Sequence, residues 1–133
     1  MREIIALLPY PPSVNTYYVH TRRGVRVADK GKQYRAAVEA AIHEQGLAAH
    51  IDHPVCVQVV VYPPDHRRRD VDNTLKALLD SLTHADVWGD DAQVDQLFVY
   101  RGQVVPGGQI LLTINESGLI IPSELSLALK ILE

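Results

Sequence analysis

Residues 55–62, Val-Cys-Val-Gln-Val-Val-Val-Tyr, are nearly all β-branched or apolar and run straight into Pro63-Pro64. Such a stretch offers water no polar face, so it predicts a central strand covered on both faces, which the prolines end because they lack a ladder donor. Leu75, Leu78, Leu79 and Leu82 follow at the i, i+3, i+4, i+7 spacing of a helix with one core-facing stripe. A covered strand leading into an amphipathic helix implies α/β layers around one core.

The remaining elements fit that frame. Ile4 to Leu8 reads as a short buried strand stopped by Pro9-Tyr10-Pro11-Pro12. Thr16 to Val19 and Val25 to Val27 flank Arg22-Arg23-Gly24, a hairpin with a positively charged tip. Asp29 is the expected N-cap of a first long helix, which Tyr34, Ala37, Val38, Ala41 and Ile42 carry as far as Gly46. Strands near Val94 to Arg101 and Ile110 to Ile114, with Pro106-Gly107-Gly108 between them, are expected to pair as a hairpin. Pro122-Ser123-Glu124 opens an apolar segment to Leu132 that reads as a short C-terminal helix. The expected fold class is α/β in the mixed α+β sense: a single domain, a mixed sheet of about five strands, two main helices and the short terminal one. Residues 1–116 are expected to form the domain, with 117–133 as an extension.

At 133 residues, 47% of them hydrophobic and 22% charged, the chain buries enough surface to fold without a metal or a disulfide. Any metal is then more functional than structural. The single cysteine, Cys56, excludes a disulfide scaffold and a multi-thiolate zinc site and favours a reducing compartment. The apolar run near the start is too short for a signal peptide or a membrane span, so the expected setting is cytoplasmic. The net charge of -3 conceals an asymmetry: residues 1–35 hold seven Lys or Arg against two acids, whereas Arg101 and Lys130 face eight acids from Ala77 onward. A basic front attracts polyphosphate; clustered acids face solvent or hold a cation.

Arg67-Arg68-Arg69-Asp70-Val71-Asp72-Asn73, with Lys76 and then Asp90-Asp91, joins those two tendencies. If the backbone is extended ahead of the helix, Asp70 and Asp72, two apart, project from one face. Asp72, Lys76, Asp80 and Thr83 fall on the helix face opposite the leucines, free for chemistry. Asp90 or Asp91, on a turn before the next strand, is expected to complete the cluster from another element. Gathered carboxylates repel unless a cation neutralises them, and oxygen-only ligands select magnesium, or manganese as a substitute, over zinc. Magnesium binds through few carboxylates together with substrate phosphate, which points to phosphoryl chemistry. The arginines would repel that metal but attract a phosphodiester backbone, so one polyanionic substrate reconciles both sets. Taken singly, an aspartate before a helix is usually a cap and an Asp-Asp pair usually a turn; the conjunction carries the reading. Arg22, Arg23, Arg26, Lys30, Lys32 and Arg35, with Asn73 beside the arginine run, are further candidates for contacts to a phosphodiester backbone, the alternative being a solvated hairpin and helix start. Tyr10, Tyr17 and Tyr18 are either stacking platforms for unpaired bases or packing beside prolines.

At these residues the sequence resembles the RusA family of Holliday junction resolvases, small endonucleases often carried by prophages. The similarity rests on Leu8-Pro9-Tyr10-Pro11-Pro12-Ser13, Asn15, Tyr17-Tyr18, the run from Asp65 to Asn73, Lys76, Asp80, Leu82, Trp88, Asp90 to Val94, Gly107-Gly108 and Thr113-Ile114. It covers about residues 3 to 116. The resemblance implies metal ligands at Asp70, Asp72 and Asp91, a functional lysine at Lys76, magnesium dependence, and a homodimer that makes paired cuts in four-way junction DNA during recombination and repair. His66 within the basic run, His84, and residues 117–133 depart from the family's pattern. Two rival classes stand beside this one. A metal-dependent phosphohydrolase acting on a small molecule would need a closed pocket; a non-catalytic junction-binding protein would not need Asp70 or Asp72.

Overall fold

The computed structural model describes residues 3–115. The expected C-terminal helix and the 117–133 extension lie outside them. In chain order the elements are β1 (Glu3–Leu8), α1 (Val14–Tyr17), β2 (Tyr18–Thr21), β3 (Gly24–Val27), α2 (Asp29–Glu44), β4 (Val55–Tyr62), α3 (Leu75–His84), a 3-10 turn (Asp91–Gln93), β5 (Val94–Arg101) and β6 (Gln109–Asn115). The mixed α+β class holds, but the strands form one four-stranded sheet, order β1-β6-β4-β5, and a separate two-stranded hairpin of β2 and β3. No helix among the described residues is long and apolar enough to cross a membrane.

β4 is an interior strand, antiparallel to β6 and parallel to β5. Its inward residues Val57 and Val59 are fully buried with Val38 and Ile42 of α2, Leu78 and Leu82 of α3, and Leu112 and Ile114 of β6. The second face is only half covered: Gln58, Val60 and Tyr62 remain partly exposed. Both helices therefore lie on one side, and the described residues form two layers rather than three. β1, expected as a buried strand, alternates instead: Ile4, Ala6 and Leu8 enter the core while Ile5 and Leu7 are half exposed.

β5 and β6 do not pair. After β5 the chain crosses the end of β4: Gly102 N donates to Val61 O (2.8 Å) and Val105 N to Pro63 O (2.9 Å). Gly102 permits that crossing, because a Cβ there would stand 2.6 Å from the Tyr62 ring. Gly107 and Gly108, both at positive φ, then turn β6 back along the far edge of β4. The Arg22-Arg23-Gly24 hairpin forms as expected, preceded by the short α1 instead of more strand. Asp29 is the first helical residue of α2 rather than its cap, which is Ala28. The hairpin is fixed against α2 by close backbone approach: Ala28 N donates to Tyr17 O (2.8 Å), and a Cβ on Gly31 would meet Tyr17 O at 2.7 Å.

Candidate functional site

Asp70 and Asp72 sit at the C-terminal ends of the parallel strands β4 and β5, the side on which open α/β sheets place their ligands. Asn73 N donates to Asp70 O (3.2 Å) and Leu75 N to Asp72 O (3.1 Å), so residues 70–75 are overlapping turns and not the extended segment expected. The turn is held from two sides, by Val14 N on Asn73 O (3.1 Å) and by the Arg101 guanidinium on Arg69 O. Asp70 and Asp72 are both exposed, and neither forms an ion pair among the described residues. Lys76 stands exposed in the first turn of α3, one turn beyond Asp72.

The arginines divide their work. Arg69 folds back, its Nη1 donating to Asp65 Oδ1 (2.6 Å), while Arg67 and Arg68 stay exposed. Arg67 and Arg68 line a groove of about 430 Å³ with Asp65, His66, Arg69 and Arg101. Arg101 was not among the sequence candidates, although its isolation in an acidic half was a signal. The Arg69 bond, with the Arg67 backbone amide, holds the Asp65 carboxyl down at about 2. A depressed carboxylate pKa gives a contribution present above the unfolded value near 3.9 and lost as pH falls through about 2. Arg69→Ala is expected to move the Asp65 titration, followed by side-chain carboxyl NMR, up toward the ordinary carboxylate range. An Asp65 titration unmoved by the substitution would break the pairing.

Asp91 is elsewhere. It opens the 3-10 turn, which Asp90 caps: Asp90 Oδ1 accepts from Ala92 N (2.9 Å) and Gln93 Oε1 accepts from Asp90 N (3.1 Å). Gln93 Nε2 also donates to Ile51 O (2.8 Å) and His53 O (3.1 Å), pinning the turn to the start of β4. Asp91 thus lies before β5 begins, whereas Arg69 and Asp70 lie where β5 ends at Arg101. Eight residues of strand separate the two ends, on the order of 20 Å. Within one chain Asp91 does not meet Asp70 and Asp72, and among the described residues no three His, Cys, Asp or Glu are grouped to hold a metal ion.

Arg22, Arg23, Arg26, Lys30 and Lys32 are exposed on the hairpin and the start of α2. Arg35 is not free for DNA: its Nη2 donates to Asp80 Oδ2 (2.6 Å) and its Nε to the Tyr17 hydroxyl (2.8 Å). Tyr17 is fully buried, which removes it as a stacking platform. Thr83, expected on the open face of α3, is engaged by Trp88 Nε1 (2.8 Å).

An exposed carboxylate pair at a sheet's C-terminal edge, flanked by an arginine groove, has the chemistry of a protein that acts on a phosphodiester backbone. The family model described as Endodeoxyribonuclease RusA matches residues 9–114, and the chain belongs to that family. It is 45% identical over 118 residues to the crossover junction endodeoxyribonuclease rusA of Enterobacteria phage HK97, covering 87% of this chain and 97% of that protein. It is 43% identical over 111 residues to the crossover junction endodeoxyribonuclease RusA of Escherichia coli strain K12, covering 84% and 92%. The rusA protein of Enterobacteria phage 82 is 42% identical over the same length.

Proposed function

We propose that this chain resolves four-way DNA junctions as a two-fold dimer, cutting two opposed strands with the help of magnesium, for which manganese substitutes. The observation that carries this reading is the juxtaposition of Asp70 and Asp72 with the Arg67, Arg68 and Arg101 groove, in a chain 45% identical to a crossover junction endodeoxyribonuclease. The groove is open and basic, which suits a polymer backbone better than the closed pocket that a small-molecule phosphohydrolase requires.

The donor set fits a hard cation: Asp70 and Asp72 present exposed carboxylates and the only thiol, Cys56, is buried in β4. Asp70 and Asp72 of one copy would hold it with Asp91 of a second, while Asp90 stays with its cap. When bound, such a cation polarises a phosphate oxygen and lowers the pKa of an attacking water. Lys76 places positive charge one turn beyond Asp72, where it offsets charge gathering on the attacked phosphate. Arg67, Arg68 and Asn73 hold the strand being cut, and Arg22, Arg23, Arg26, Lys30 and Lys32 hold a DNA arm.

The separation of the acids supports the dimer. β5 is an edge strand of the sheet. A two-fold axis perpendicular to it reverses direction, setting the Asp91 end of one copy against the Asp70–Asp72 end of the other. The exposed Leu97 and Tyr100 of β5 supply apolar surface for that contact. Such a dimer carries two equivalent sites, as paired cuts demand. The test is cleavage of a synthetic four-way junction against a matched linear duplex, with magnesium and with a chelator. Junction cutting only with magnesium, the duplex left intact, is expected; equal cutting of the duplex, or cutting in chelator, would overturn the reading.

A further inference from the structure

Asp80 is the one acidic residue of α3 and the proposed chemistry leaves it without a task, yet side chains from two other helices converge on it. The Tyr17 hydroxyl, from the end of α1, donates to Asp80 Oδ2, and Arg35 of α2 donates to the same oxygen at 2.6 Å. Arg35 also donates to the Tyr17 hydroxyl (2.8 Å), closing a triangle. Tyr17 is fully buried and the Arg35 and Asp80 side chains are only about a quarter exposed, so the triangle is shielded from water on most sides. Burial alone pushes the Asp80 carboxyl up; the Tyr17 and Arg35 bonds outweigh it and hold the group ionised. Both bonds land on Oδ2, which leaves Oδ1 the oxygen that neither anchor occupies.

Lys76 lies four residues earlier on the same helix, the spacing at which side chains stack along one stripe. The two side chains form no direct ion pair among the described residues, but the ammonium lies near enough to favour the ionised Asp80 carboxyl. A lysine on an exposed helix face has four rotatable bonds and no reason to hold one position. A carboxylate fixed by two anchors from other elements gives it one.

We propose that Asp80 is a positioning residue: anchored by Tyr17 and Arg35, it holds the Lys76 ammonium in the orientation from which Lys76 serves the scissile phosphate. The inference rests on the role assigned above to Lys76. It also gives the Tyr17–Arg35 pair a purpose beyond packing, since both carry the position of α1 and α2 to the helix that bears the lysine.

A double-mutant cycle on the full chain separates positioning from a merely structural role. Asp80→Asn keeps the shape and one acceptor oxygen but removes the charge. Alone, it is expected to slow junction cleavage on the order of tenfold while leaving junction affinity unchanged, because a displaced catalytic group costs rate rather than binding. In a Lys76→Ala background it is expected to cost nothing further. Tyr17→Phe, which keeps the buried ring and loosens the anchor, is expected to show the same dependence on Lys76 with a smaller loss. If Asp80→Asn slows cleavage equally with and without Lys76, Asp80 supports the fold and the inference fails. If Lys76→Ala itself leaves cleavage unchanged, the role given to Lys76 under the proposed function fails instead. Melting temperatures of all the variants show whether any loss follows unfolding.

Discussion

Asp70→Asn and Asp72→Asn are each expected to abolish cleavage of a four-way junction and to leave its binding intact. Each substitution replaces an exposed carboxylate by an amide of the same shape, on a turn whose hydrogen bonds do not use the replaced carboxylates and so survive. The fold has no reason to respond. Cation binding does, because a neutral amide oxygen is a much poorer partner for a hard divalent ion than a carboxylate. Loss of an outer partner of a metal ligand already costs about 10- to 100-fold, so loss of the ligand itself is expected to exceed that range. Binding survives or tightens, since a negative charge is removed beside Arg67, Arg68 and Arg101 and less repels the DNA backbone. Single-turnover cleavage and gel-shift affinity on the same junction measure the two separately. Cutting at the wild-type rate by either variant would take Asp70 or Asp72 out of the site.

Much of the fold was legible because local chemistry and tertiary packing agree. The leucine spacing of α3 marks the face that is buried, and the apolar run of β4 marks an interior strand. The pairing of β5 and β6 was not legible. A proline and two glycines between two strands read as a hairpin turn, but the decisive contact is the tight crossing at Gly102 over Tyr62, which joins residues far apart in sequence. β1 failed for a related reason: a continuous apolar run cannot show by itself that half of it faces outward. In the site, Asp70, Asp72, Lys76 and the arginine groove lie together at one end of α3, as the sequence suggested, because they are close along the chain. Asp91 defeated the expectation because a helix and a strand of parallel crossover carry the chain from one end of the sheet to the other and back. No local pattern encodes that distance. Arg35 looked like one more surface cation, and only its contacts with Tyr17 and Asp80 reveal that it is occupied.

The largest gain of function is expected from two inactive proteins. If each site takes Asp70 and Asp72 from one copy and Asp91 from the other, an Asp70→Asn homodimer has two defective sites, and so has an Asp91→Asn homodimer. A heterodimer of the two gathers both lesions into one site and leaves the second intact. Random exchange makes half the dimers mixed, so about a quarter of all sites are restored. One intact site nicks a strand without completing the paired cut. If every ligand came from a single chain, each site of the heterodimer would carry one lesion and none would work. The separation of Asp91 from Asp70 by the length of β5 therefore becomes a count of nicked junctions. Nicking of a labelled four-way junction by the exchanged mixture, where each variant alone is inert, is the result predicted; a mixture as inert as its components contradicts it.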